Sequence, residues 1–409
     1  MKISIVIPTK NRVEFLRESV KTTLDIDRDN VEIVVSDNAS TDTTEDEILS
    51  INDPRLKYVN TSKAVSMRAN FENGLAHSTG DYIIFFGDDD GILPQQMIAL
   101  LTVLETEQPD VLKWPMIRYG WPLKSHPKTG TMRLRKTATF GATSRIDNTA
   151  LVNNLLSCEA LWDEKVPAIY HGVASRSYIE KLKGNGILFN CTIPDIYFSN
   201  LAIFEGGKHL FCNHPFSING YGKASNGGAQ AKMSEKKVTN EIVEQFAADN
   251  ALDQNMDVAN FGPSIGVTFF LAMETARVAK GREGDDVDYV KWFAYALKSA
   301  NTMPIEKREH LFTSLGEYAE KIGKQKQLEA AKKVSLKSGA FKKLKRKLSE
   351  NLDKFGSIRF TCEIAGENTI YTASQQVDKL LANEFVSIYD GTKSKNEAWS
   401  NLKKRFKSI

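Results

Sequence analysis

Five short runs of apolar and β-branched residues punctuate the first 115 positions: Ile3–Ile7, Val31–Val35, Leu56–Val59, Tyr82–Phe86 and Val111–Trp114. Runs of this length and composition read as strands buried on both faces. Helical periodicity fills the gaps. Val13, Leu16, Val20 and Leu24 recur at three- and four-residue steps. Met97, Leu100, Leu101 and Leu104 do the same after Pro94, a residue suited to a first helical position. Strand and helix alternating in this way require right-handed crossovers and a mostly parallel sheet flanked by helices. Ligands sit beyond the carboxyl ends of the strands in such sheets. Attention therefore falls on Pro8–Arg12, Ser36–Asp42 and Gly87–Gly91.

The fourth strand runs directly into Asp88-Asp89-Asp90. Like charges at this range raise one another's pKa unless a cation sits among them. Mg²⁺ or Mn²⁺ would relieve the repulsion, since Mg²⁺ takes one or two protein carboxylates and completes its shell with water and phosphate. A solvated acidic turn closed by Asp90-Gly91 is the structural alternative. The first strand carries no GxGxxG, and neither GxxxxGK[ST] nor GxSxG occurs. A dinucleotide fingerprint, a P-loop and a nucleophile elbow are thereby excluded.

Taken together, Ile-Val-Ile-Pro-Thr-Lys-Asn-Arg (residues 5–12), Ile-Val-Val-Ser-Asp-Asn-Ala-Ser-Thr-Asp (33–42) and Tyr-Ile-Ile-Phe-Phe-Gly-Asp-Asp-Asp (82–90) resemble the three signatures of glycosyltransferase family 2. The resemblance is firm over residues 1–110 and weak over 165–230. It implies an inverting, nucleotide-sugar-dependent enzyme of the α/β class with a GT-A fold, a Rossmann-like, mostly parallel sheet flanked by helices. Pro8, Thr9 and Arg12 would line the nucleotide pocket. Asp37 would accept a hydrogen bond from the base, or else simply open the turn that follows it. Arg68 resembles the family's pocket arginine at looser spacing, and a surface helix arginine is the other reading. Asp88–Asp90 match the DxD element. Asp90 is then the expected metal ligand, and Asp89 the expected ribose or metal contact. Gly87 departs from the pattern, because relatives often carry an acid there; Asp88 is placed to compensate.

The family also uses a carboxylate about 100 residues after the DxD, at a helix start, to take the acceptor's proton. Asp195, in Thr192-Ile193-Pro194-Asp195, lies 105 positions after Asp90 and precedes the apolar run Ile196–Phe204. It is the expected general base, although aspartate is also a good N-cap. His214 is a candidate for the metal shell or a packed side chain. The loop 221–230 is glycine-rich and reads as a lid over the diphosphate or a plain linker.

The remaining chain is read more coarsely. Residues 116–165 suggest loops and a hairpin, Val166–Ser175 a strand and His209–Asn219 another. The catalytic domain is expected over residues 1–235, with a mainly helical C-terminal region over 236–409. Residues 301–350 hold thirteen Lys and Arg against six Asp and Glu, concentrated at 341–348 beside Phe341, Leu344 and Leu348. That amphipathic stretch would suit an anionic membrane surface, a solvated helix face or a subunit contact. Because the donor motifs all precede residue 110, removal of the tail from 336 is expected to leave donor binding intact.

Lys and Arg number 54 against 51 Asp and Glu, which excludes a nucleic-acid binder working by bulk positive charge. Four scattered cysteines make neither a CxxC pair nor a disulfide scaffold. Without a secretory h-region at the N-terminus, a cytoplasmic protein is expected, peripheral on the inner face of the membrane if the basic stretch binds lipid. The expected reaction moves a sugar from a nucleotide-sugar, UDP-sugar first, to an acceptor hydroxyl on a glycan or lipid-linked glycan, with Mn²⁺ or Mg²⁺ as cofactor. GDP- and dTDP-sugars suit the motifs equally. One rival is a GT-A-like nucleotidyltransferase, which would carry a glycine-rich, lysine-containing first loop. The other is a non-catalytic sugar-nucleotide-binding scaffold, which would need a broken site.

Overall fold

The computed structural model describes residues 1–122, 129–159, 164–222, 248, 265–300, 305–334 and 356–408. The basic stretch at 341–348, most of loop 221–230 and the boundary near 235 lie outside the described residues.

The predicted alternation is present. Strands β1 (Ile3–Thr9), β2 (Val31–Asp37), β3 (Leu56–Asn60) and β4 (Tyr82–Phe85) pair in parallel in the order β3-β2-β1-β4. Helices α1 (Val13–Leu24), α2 (Thr44–Leu49) and α3 (Met67–Ala76) make the crossovers. β1 and β2 are buried almost throughout, which is why their sequences are runs rather than alternations. The sheet continues through β10 (Gly172–Ser175), β6 (Val111–Lys113), β11 (His209–Cys212) and β9 (Thr143–Arg145). β10 runs antiparallel to both its neighbours, β4 and β6. A smaller sheet, β5-β12-β7, joins Gly91–Ile92, Ser217–Tyr221 and Ile117–Gly120.

Two expected strands differ. Residues 209–219 do not form one strand but two, in different sheets, broken at Asn213-His214-Pro215. Pro215 has no N–H to give a ladder. Of Val166–Ser175 only the last four residues are strand. His171, just before them, has φ 47° and turns the chain. Residues 116–159 also contain β8 (Thr131–Arg135) and helix α5 (Asn148–Leu156), whose N-cap Asp147 accepts from the Ala150 N–H.

The later helices occupy two places. Helices at Ile265–Ala279, Tyr289–Ala300, Ile305–Lys321 and Gln325–Lys333 join the core on the side of α7 (Pro194–Glu205). Residues 356–408 instead return to the first strands. Strand β13 (Ser357–Thr361) pairs with β8, and helix Ile370–Leu381 lies against α1 and β5. That helix begins with a capping box between Thr369 and Thr372. Its Ser374 hydroxyl donates to the Ile92 carbonyl (2.7 Å), and Ile370 and Val377 are fully buried. The C-terminal residues thus support the strand that immediately follows Asp88–Asp90. The tail expected to be dispensable for donor binding is part of the scaffold behind the acidic loop.

Among the described residues, no helix is long and apolar enough to cross a membrane.

Asp378 secures this attachment. Its carboxylate accepts from the Gln95 N–H and from Gln96 Nε2, both at 3.0 Å. Burial raises its pKa to about 7, against the pull of those two donors. The unfolded value is about 3.9, so the folded state holds this proton more tightly. The group's contribution is therefore most favourable below about pH 4 and wanes as pH rises to about 7. Asp378→Asn removes the dependence. The melting temperature of the variant relative to wild type should rise between about pH 5 and pH 8; a pH-independent difference would refute this assignment.

Candidate active site

The first and second strand ends interlock before either can meet a ligand. Asn11 has φ 52°, a conformation asparagine tolerates better than most residues. Its N–H donates to Ser40 Oγ (2.8 Å), and its Oδ1 accepts the Thr41 N–H (2.7 Å). The turn at Asn11 aims Arg12 at the fourth strand end. Arg12 Nη1 lies 2.6 Å from Asp88 Oδ1, and Nη2 lies 2.8 Å from Asp89 Oδ2. The guanidinium also sits 5.1 Å from the centre of the Phe15 ring. Thr9 Oγ1 donates to the other oxygen of Asp88 (2.8 Å). Thr9 and Arg12, expected in one pocket, thus converge on the acidic loop, one strand from Asp37.

The three aspartates are not equivalent. Both oxygens of Asp90 are already engaged by protein donors. Oδ1 accepts from the Gly220 N–H (2.7 Å) and Asn219 Nδ2 (3.3 Å). Oδ2 accepts from the Gly87 N–H (2.7 Å) and the Tyr170 hydroxyl (2.5 Å), with His171 Nε2 at 3.1 Å. Trp114 Nε1 donates to Ser217 Oγ (2.8 Å), and His171 Nδ1 lies 2.8 Å from the same oxygen. Burial alone would raise the Asp90 pKa, but His171 and these donors bring it below the ordinary value. Asp88 and Asp89 have fewer partners, and burial raises both against the pull of Arg12, Asp89 to about 7. Asp90, the expected metal ligand, thus meets more protein donors than Asp88 or Asp89 among the described residues.

Gly87 has a local reason. A Cβ there would lie 2.8 Å from the Tyr170 hydroxyl and 3.1 Å from Asp89 Oδ1. The Tyr170 hydroxyl fills the space that an acidic side chain at this position would need.

Tyr170, His171, Lys113, Asn219 and Gly220 were not singled out from the sequence. Consecutive residues of a regular strand point to opposite faces. The left-handed backbone at His171 instead lets both Tyr170 and His171 reach Asp90. Lys113 lies beneath them, its Nζ donating to the Tyr170 and His171 carbonyls (3.3 and 2.9 Å). Burial lowers the Lys113 pKa to about 8, opposed by the nearby charge of Asp195.

Asp195 is in the first turn of α7, but the N-cap is Ile193. The backbone N–H groups of Ile196 and of Asp195 itself favour its charged form. Burial raises its pKa against those donors and the charge of Lys113. Asp89, Asp90 and Asp195 all lie within electrostatic reach of the Tyr170 hydroxyl. A carboxylate 105 positions away in sequence is thus brought to the acidic loop.

The other expected residues are placed as follows. Pro8 is in β1, paired with Ser36. Asp37 Oδ1 accepts from the Ser40 N–H (3.1 Å) and hydroxyl (2.5 Å), forming the turn, and Oδ2 accepts the Tyr58 hydroxyl (2.6 Å). Arg68 is buried at the start of α3, with Nη1 3.4 Å from the Phe189 carbonyl. His214 does not join the acidic loop. It stacks on Phe385 (4.1 Å) and Phe140 (5.4 Å), Nδ1 accepts the Phe140 N–H, and Nε2 meets Gln96 Oε1. Burial lowers its pKa to about 3, so it is a neutral packed side chain.

Residues 4–163 match the family described as Glycosyl transferase family 2. Over 103 residues the chain is 32% identical to the GalNAc(5)-diNAcBac-PP-undecaprenol beta-1,3-glucosyltransferase of Campylobacter jejuni, covering 24% of this chain and 33% of that protein. Over 113 residues it is 35% identical to the abequosyltransferase RfbV of Salmonella typhimurium, covering 26% and 34%. The chain spans about a third of the length of these curated relatives. A solved structure of S. aureus TarS 1–349 with UDP-GlcNAc aligns at TM-score 0.44 and 14% identity, over 81% of this chain and 92% of that one. The segment that carries Arg12, Asp37, Arg68 and the three aspartates belongs to glycosyltransferase family 2.

The tightest point of the site is Gly220. A Cβ there would meet the Asp89 carbonyl oxygen at 1.8 Å and Trp121 Nε1 at 2.9 Å. Gly220→Ala should separate β12 from the acidic loop, costing about 1–3 kcal/mol in urea unfolding. A wild-type unfolding free energy would mean that the loop tolerates the displacement.

Proposed function

We propose that this protein is an inverting glycosyltransferase that moves a sugar from a nucleotide-sugar, UDP-sugar first, to an acceptor hydroxyl on a glycan or lipid-linked glycan. The observation that carries the reading is the meeting of Arg12, Asp88 and Asp89 with Asp195 around the Tyr170 hydroxyl. A cation, two carboxylates with raised pKa values and a separate carboxylate thus act on one another in a single buried region. Surface polysaccharide or glycolipid assembly is the proposed setting, in keeping with the curated relative named for an undecaprenol-linked substrate. A peripheral position on the inner face of the membrane follows from such an acceptor.

The residues fit a divalent metal. Asp88 and Asp89 are buried with raised pKa values, the state of carboxylates short of positive charge. They, rather than Asp90, would hold Mn²⁺ or Mg²⁺ with the donor diphosphate, where the ion would neutralise charge on the departing nucleotide. Arg12 contributes a fixed positive charge at the same place. Among the described residues Asp37 Oδ2 has one donor, and a carboxylate oxygen accepts two, so a base N–H can add there. Pro8 and Thr9 line the nucleotide side, and Arg68 closes it from α3. Asp195 takes the acceptor proton as the hydroxyl attacks the anomeric carbon opposite the nucleotide. Its raised pKa brings its basicity closer to that task.

Asp89→Asn and Asp90→Asn should separate two roles. Asp89→Asn should weaken Mn²⁺-dependent UDP binding at least tenfold in calorimetry with little change in melting temperature. Asp90→Asn should chiefly lower the melting temperature, because an amide NH₂ would face the Gly87 or Gly220 N–H. The reverse pattern would return the metal role to Asp90.

Asp195→Asn should reduce nucleotide release from the sugar-nucleotide that wild type turns over by roughly 10²–10⁴, leaving UDP affinity nearly unchanged. It should also remove the fall in rate on the acid side of the pH profile. A stable, fully active Asn variant would place the base elsewhere.

A further inference from the structure

The segment that delivers Asp195 has few supports of its own. Among the described residues, no backbone–backbone hydrogen bond fixes residues 187–192. Thr192 Oγ1 is buried and meets no partner. What holds the segment is residue 189. Its N–H donates to Glu72 Oε1 (2.5 Å), and its carbonyl accepts from Arg68 Nη1 (3.4 Å). The Leu188 N–H favours the charged form of Glu72. The Phe189 ring is fully buried, edge-on to Phe71 and to Phe85 at 5.4 Å each. Arg68 and Glu72 are one helical turn apart on α3, so one helix face grips both backbone groups of Phe189.

The same helix is tied to the donor side. Ser66 caps it, Asn70 Nδ2 donates to the Ser36 carbonyl (2.9 Å) and Asn73 Nδ2 to Ser36 Oγ (2.9 Å). Just before the helix, the Val65 backbone is bonded on both its groups to the Asn38 side chain (2.8 and 2.9 Å). A rigid element therefore runs from the end of β2 to the segment six residues before Asp195.

We propose that Glu72 is a positioning residue that fixes residues 188–193 against α3 and so holds Asp195 in register with the donor pocket. The inference rests on Asp195 acting as base in the transfer reaction proposed above. Glu72 acts through the backbone at Leu188 and Phe189. Misplacing a reacting group by about 1 Å can cost about 100-fold in rate, so loosening this segment should lower kcat without changing donor affinity.

The test uses the full chain and the variants Glu72→Ala and Glu72→Gln. Hydrogen–deuterium exchange of peptides spanning 186–197 is compared with exchange in α1 and β2. UDP affinity is measured by calorimetry, and nucleotide release is measured from a panel of UDP-, GDP- and dTDP-sugars. In Glu72→Ala, exchange at 188–193 should rise at least tenfold, and kcat should fall about 10- to 100-fold, with the UDP Kd within twofold. Glu72→Gln keeps one acceptor oxygen, so it should raise exchange only several-fold and recover most of kcat. If the alanine variant fails to fold, the glutamine variant alone must show the rise at 188–193. Wild-type exchange there in a folded variant overturns the proposal, as does raised exchange with unchanged kcat. A lowered melting temperature with unchanged kcat would make Glu72 merely structural. If wild type releases nucleotide from no donor, the transferase reading fails, while the exchange measurement still decides whether Glu72 holds the segment.

Discussion

The carboxylate of Asp90 is the knot of this structure. It draws donors from its own loop at Gly87, from Tyr170 and His171 just before β10, and from Asn219 and Gly220 in β12. Hydrogen bonds to a charged group contribute about 1.5–3 kcal/mol each, and removing one partner leaves buried groups unsatisfied. The central sheet, the small sheet and the acidic loop are therefore fixed relative to one another through one side chain. Lys113 reinforces the arrangement from below by gripping the carbonyls of Tyr170 and His171. Gly220 follows from the same closeness, since no side chain fits between β12 and the Asp89 carbonyl.

With Asp90 engaged by these donors, the electrostatic character of the site falls to Arg12, Asp88 and Asp89. Burial works against the Arg12 charge, yet the two carboxylates raise its pKa. The carboxylates remain raised themselves, so a single guanidinium does not satisfy both. In the proposed reaction, a further cation would balance this charge. Asp195 experiences a different balance: helix-start N–H groups and Lys113 favour its charge, and burial opposes it. In the proposed reaction the two environments would serve two different tasks, one holding positive charge and the other accepting a proton.

The C-terminal residues are joined to this site mechanically. Helix Ile370–Leu381 supports β5, which directly follows Asp90, while Asp378 holds the turn that begins the next helix. Distance along the chain was a poor guide here. The expectation that a tail lacking donor motifs could be removed treated sequence separation as spatial separation. Ile370 and Val377 are instead buried in the core that includes the first crossover helix.

Much of the fold was legible in the residues. Buried strands announce themselves as β-branched runs, helices as three- and four-residue repeats, and their alternation leaves few topologies. The convergence of Thr9, Arg12 and Asp88–Asp90 followed from those rules, because parallel strands bring their carboxyl ends to one edge. Asp195 was proposed through family resemblance and the helix that follows it. His214 was weighed as a ligand and His171 was not, although both are lone histidines near a strand. Nothing local distinguishes a histidine stacked on Phe385 from one facing Asp90. The sequence by itself determined the sheet, its ligand-binding edge and the presence of an acidic cluster there. Only the tertiary structure decided how the donors divide among the three aspartates, why residue 87 is glycine and what anchors the segment before Asp195. The physical reason is that a carboxylate's role depends on which donors surround it, and here those donors arrive from positions 80 to 130 residues away.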